Sequence, residues 1–156
     1  MKKLSFEARQ TLKNEAEFHL KKLSDLDANI ANFSSNLQLE QNRVLTAYYL
    51  NGVYSCLENI FEKIAKVFEN HIENPAVWHS ELLLRMRLDI DGIRPAVIDN
   101  ESFVFLDELR SFRHVFRQSY MFSLDADRIE LIVIKWKKHK KTVVSQISAF
   151  LKKVAK

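Results

Sequence analysis

"ELRSFRHVFRQSYMF", Glu108–Phe122, sets three arginines and a histidine in one run, with no acidic residue between Glu108 and Asp125. On a helix each residue advances by about 100°. Phe105, Leu109, Phe112, Phe116 and Ser119 then gather on one side, and Arg110, Arg113, His114, Arg117 and Gln118 on the other. The first set is a core face. The second sets Arg110 beside Arg113, and Arg113 beside Arg117, where like charges cost a few tenths of a kcal/mol per pair. Such a face needs compensation, from acids elsewhere in the bundle, Asp107 being the nearest in sequence, or from an external anion. The planar guanidinium fork suits phosphate oxygens. Periodicity leaves both explanations open.

The helical period continues on either side of this stretch. Phe6, Leu12, Phe18, Leu20, Leu23, Leu26 and Ile30 recur at three- and four-residue intervals and predict a first helix over Ser5 to Asn32, interrupted by "NFSSN" at 32–36. A wider apolar stripe with Leu45, Tyr48, Tyr49, Val53, Leu57, Ile60, Phe61, Ile64 and Phe68 predicts a central, largely buried helix from about Leu37 to Asn70. Asn74 as cap and Pro75 at the first helical position predict a third, to about Leu88, before the loop "DIDGIRPAVIDN". With Asn100 as its cap, the arginine helix runs to about Met121, and a fifth follows from about Asp125 to Val154. No segment alternates with period two between turn residues. The expectation is an all-α, up-and-down antiparallel bundle of about five helices.

At 156 residues the chain suits one domain, residues 1–156, and its 47% hydrophobic and 28% charged composition, with 11 phenylalanines, is that of a soluble globular protein. Two glycines and two prolines exclude Gly-rich phosphate-binding loops of the Walker and Rossmann kinds. The lone Cys56 lies in an apolar run and reads as a buried, inert thiol in a reducing compartment. No apolar run approaches the roughly 18 residues of a membrane span. The "MKKLSFEARQ" start lacks the apolar core of a signal peptide, so the expected location is the cytoplasm. A formal charge of +4 permits a nucleic-acid partner without requiring one.

"LDELRSFRHVFRQSYMFSLD", with "YYLNGVYSCLENIFEKIAKVF" and "WHSELLLRM" upstream in the same order, resembles the HepT-like branch of the HEPN ribonucleases over roughly residues 40–155. That branch carries R-x4-H-x-Y. Arg113 takes the arginine position, "HVFR" the spacers and Tyr120 the tyrosine, while Gln118 stands where the family has histidine. The resemblance implies a HEPN fold, a homodimer with the motif near its cleft, and RNA cleavage without metal or other cofactor. In that reaction the ribose 2′-hydroxyl attacks the adjacent phosphate. Arg113 would hold the phosphate, with Arg110, His114 and Arg117 as further RNA contacts. It also implies a toxin–antitoxin pair, in which an MntA-like nucleotidyltransferase antitoxin transfers AMP to Tyr120 and blocks the arginine face.

Glutamine reaches a phosphate or a hydroxyl but has no titrating proton, and the general acid/base role it gives up is worth about 10²- to 10⁴-fold. Gln118 is thus the signature either of a natural binding module or of a deliberately disabled toxin. His114 lies one turn from Gln118 on the same face, where it lines the cleft or meets a local hydrogen bond. A third reading is a plain helical adaptor whose arginines pair with acids inside the bundle.

Other features carry less. The lysines of "KWKKHKK", 135–141, read as a solvated face or as RNA-backbone steering, with Trp136 in the core. His71 and His79 lie eight apart without cysteine companions or an H-E-x-x-H spacing, which argues against zinc. His19 and His139 read as surface residues, Trp78, Met86, Phe103 and Met121 as core, and Tyr48, Tyr49 and Tyr54 as packing residues. No Ser, His and acid pattern suggests a hydrolase triad.

Overall fold

The computed structural model describes residues 2–69, 78–118 and 124–154. They form five helices: α1 (Phe6–Phe33), α2 (Glu40–Glu69), α3 (Trp78–Met86), α4 (Asn100–Gln118) and α5 (Ala126–Val154). Among the described residues the only bridge of β type is the isolated pair Ile90 and Arg94. The all-α expectation holds, with boundaries within two residues wherever the sequence placed one inside the described segments, except that α2 starts three residues late, at Glu40. The proposed cap and proline at Asn74 and Pro75 lie outside them.

Ser5 opens α1, its side chain accepting from the Ala8 N–H at 3.1 Å, and α1 then runs antiparallel to α2. Lys63 meets Glu15 at 3.0 Å, and farther along Leu26 faces Gly52, so position rises on one helix as it falls on the other. A Cβ at Gly52 would lie 3.2 Å from both Leu26 methyls, so glycine permits the close approach. α2 is the central element, burying Leu50, Val53, Tyr54, Leu57, Ile60, Phe61, Ile64 and Phe68 against its neighbours. α5 closes the other side. Its Trp136 is fully buried, stacks near Phe105 of α4, and donates from Nε1 to Asp27 of α1 at 2.8 Å.

The α3–α4 connection is anchored by Arg94, whose buried guanidinium binds Glu69 at the end of α2 and the carbonyls of Arg85, Leu88 and Pro95. Gly92, at φ +70°, makes the turn before it in the left-handed region. α4 then starts on Asp99, one residue before the expected cap. Asp99 Oδ1 accepts from the Ser102 N–H at 2.8 Å, while Asn100 is the first helical residue and accepts from Arg87.

Some face assignments change. Phe6, Phe18 and Tyr48 belong to the periodic stripes but are exposed, because α1 and α2 bury narrower arcs than their apolar residues cover. His139 is not a surface residue: its ring stacks on Phe105 at 5.0 Å. His19 is half-buried, and burial holds its imidazole below the ordinary histidine range. Within "KWKKHKK", Lys135 pairs with Glu108, Lys138 with Glu101 and Lys140 with Asp27. That stretch stitches α5 to α4 and α1.

Candidate functional site

The arginine face of α4 looks onto the start of α3 across an open cleft of about 490 Å³, lined by His79, Ser80, Arg110, Arg113, His114, Arg117 and Gln118. Among the described residues, three guanidiniums and two imidazoles line it with no carboxylate. The five described residues singled out on α4 are thus brought together. Tyr120 lies outside the described residues.

The three arginines meet acids differently. Arg110 binds Asp107 one turn earlier, Nε and the fork both 2.9 Å from Oδ1, on a partly solvated surface. Arg113 leans inward, its side chain 16% exposed, and pairs with Glu58 of α2, itself 7% exposed. Its guanidinium lies 5.5 Å from the Tyr54 ring centre, a cation–π arrangement. Burial, reinforced by nearby Glu58, pushes the Tyr54 hydroxyl well above its ordinary range, so Tyr54 stays neutral. Arg117 is exposed, and no carboxylate among the described residues is within ion-pair reach.

Glu58 is the hub. One carboxylate oxygen accepts from Arg113, and the other is hydrogen-bonded to Nδ1 of His79. Both acceptor edges face cationic or donor groups, which is how a buried carboxylate remains tolerable. Glu58, Glu62 and His79 bring three donor atoms within 4.8 Å of one another. Arg113 already supplies the charge a cation would bring, and Glu62 accepts from Trp78 Nε1 at 3.3 Å; we assign no metal there.

His79, considered in the sequence only against zinc, and Glu58 are the residues that sequence reasoning missed as a site. One signal was present: Glu58 is the sole charged residue between Arg43 and Glu62, on a stripe that also carries Tyr54, Leu57 and Phe61. A charge inside a buried stripe demands a partner.

The HepT-like family model, described as HepT-like protein, matches residues 45–154. The chain belongs to the HepT-like family. No curated protein and no solved structure matches it. The HepT-like match covers nearly all of α2 and the whole of α3, α4 and α5, hence Glu58, His79 and the arginine face, while α1 lies before it. Among the described residues of this HepT-like chain, no helix is long and apolar enough to cross a membrane.

Proposed function

We propose that this HepT-like chain is the toxin-type component of a toxin–antitoxin pair, a single cytoplasmic domain that holds an RNA phosphodiester in the arginine cleft and cuts it without metal or cofactor. The observation that carries the reading is the cleft itself, with Arg110, Arg113, His114 and Arg117 along one wall and Arg117 free of acidic partners among the described residues. Arg113 grips the phosphate, and Arg110, His114 and Arg117 contact the flanking backbone. Gln118 positions without titrating, so cleavage is weakened by about 10²- to 10⁴-fold.

A homodimer brings two such clefts together. In its favour, Val104 on α4, and Leu131 and Ile134 on α5, stand exposed on the helices that the Lys135–Glu108 pair joins, on surfaces an unpartnered bundle would leave wet. An MntA-like nucleotidyltransferase antitoxin would modify Tyr120. A second reading, a non-catalytic module binding RNA, nucleotide or protein in the same cleft, is favoured by Gln118.

The test is binding and cleavage of end-labelled RNA in EDTA by the wild-type chain, Gln118→His and an Arg110→Gln/Arg117→Gln double variant. Binding should weaken with salt and in the double variant, and Gln118→His should raise the yield of cyclic phosphate ends. Salt-independent RNA binding that the double variant retains would overturn the cleft as the RNA site. Binding without cleavage by either cleft-intact chain would favour the second reading.

A further inference from the structure

We infer that His79, held by Glu58, takes the proton from the attacking hydroxyl in this cleft, supplying from α3 the imidazole that α4 lacks at Gln118. The inference rests on the phosphodiester reading above and names a catalytic group for it.

The geometry begins with the carboxylate. An ionised Glu58 can only accept, so the bond to its oxygen places the His79 proton on Nδ1 and leaves the lone pair of Nε2 on the opposite side of the ring. Glu58 is buried, whereas the His79 side chain is 54% exposed and lines the same cleft as Arg110, Arg113 and Arg117. The basic nitrogen therefore has the open side. The other Glu58 oxygen holds Arg113. One carboxylate thus fixes an imidazole and a guanidinium relative to each other, and a phosphate on the free edge of Arg113 lies beside the ring. Preorganisation of this kind keeps the reacting groups from searching. His114 has no such support: it is exposed, and no carboxylate among the described residues orients it.

The step balances without an external reactant. The ribose 2′-oxygen forms a bond to phosphorus, its proton passes to His79 Nε2, and the bond from phosphorus to the 5′-oxygen breaks. The imidazolium returns the proton, through water, to the departing oxygen. The products are a 2′,3′-cyclic phosphate and a 5′-hydroxyl, and no electron is transferred. Glu58 is a positioning residue. Among the described residues, the charged or titratable groups facing the ring are Glu58 and Glu62 from α2 and Arg110, Arg113, His114 and Arg117 from α4.

The experiment uses the full chain and a short end-labelled oligouridine in EDTA. Wild type, Gln118→His, His79→Gln, Glu58→Gln and His79→Gly with and without imidazole in the buffer are compared for cyclic phosphate ends, with RNA binding followed by fluorescence anisotropy. Wild type should cut slowly. His79→Gln should lose about 10²-fold in rate while binding RNA as before, and added imidazole should restore cutting to His79→Gly. Glu58→Gln should slow cutting in the wild-type chain yet add little to the loss in His79→Gln when the two are combined, since it acts through the imidazole; a purely structural Glu58 would lower both rates alike. Cutting by His79→Gln at the wild-type rate, or by Gln118→His with a silent wild type, would overturn the inference and leave the ribonuclease reading standing. Silence from wild type and Gln118→His alike would overturn both.

Discussion

Replacing Arg113 with methionine removes the cation from a buried carboxylate while keeping most of the side-chain volume. Glu58 is 7% exposed and Arg113 16%, so water cannot take the arginine's place. Breaking a buried pair in this way costs about 3 to 5 kcal/mol. The hydrogen bond to His79 survives the substitution, which points to the lower end, about 3 kcal/mol. For a chain of this length, each kcal/mol lowers Tm by roughly 2–4 °C, so the drop should be on the order of 10 °C. Glu58→Gln alone leaves Arg113 unpaired and should also destabilise. The double variant, lacking both charges, should be more stable than Arg113→Met by at least about 1 kcal/mol, because the uncompensated charge is gone. The assay is urea denaturation by circular dichroism on all four proteins at one pH and salt. A loss below about 1 kcal/mol for Arg113→Met, the value of an exposed pair, would refute the reasoning. So would strict additivity of the two single losses.

Two further outcomes follow from the connection between α3 and α4. Asp99→Ala should cost about 1 kcal/mol by removing the acceptor for the Ser102 N–H. That hydrogen bond holds the Asp99 carboxyl below the usual carboxylate range. The cap's contribution is therefore complete above the unfolded value of about 4 and lost as pH falls through the lowered folded one, where wild type and variant should converge in denaturation curves. Gly92→Ala should destabilise by about 1 kcal/mol even though an added Cβ meets nothing within 4 Å, because φ +70° strains an L-residue. Gly92→Asn, which tolerates that region, should cost less, and thermal melts of the three proteins compare them.

Much of this architecture was legible because helices are local. The interval of apolar residues fixes where α1, α2, α4 and α5 run, and the arginine face of α4 is visible from its spacing. What periodicity could not supply is which faces meet. His79 and Glu58 are 21 positions apart, and Arg113 and Glu58 are 55 apart. Their meeting depends on how α3 and α4 lie across α2. The same gap explains the lysines of α5, three of which face acids on α1 or α4, and the exposure of Phe6 and Phe18 on stripes that look fit for a core.

The three arginines can share a face because their neutralisation is unequal. Asp107 meets Arg110 at the surface, where the pair is worth little and screens easily. Glu58 meets Arg113 from beneath, out of solvent, so that guanidinium is held in place. Arg117 has no acid among the described residues and carries its charge to the cleft. A purely structural cluster would gain from an acid beside Arg117 as well; leaving that place open keeps a net positive field where an anion can enter. The buried acid also turns His79 toward the same opening. Glu58 thereby lowers the cost of bringing like charges together and orders the two groups a phosphodiester would meet first.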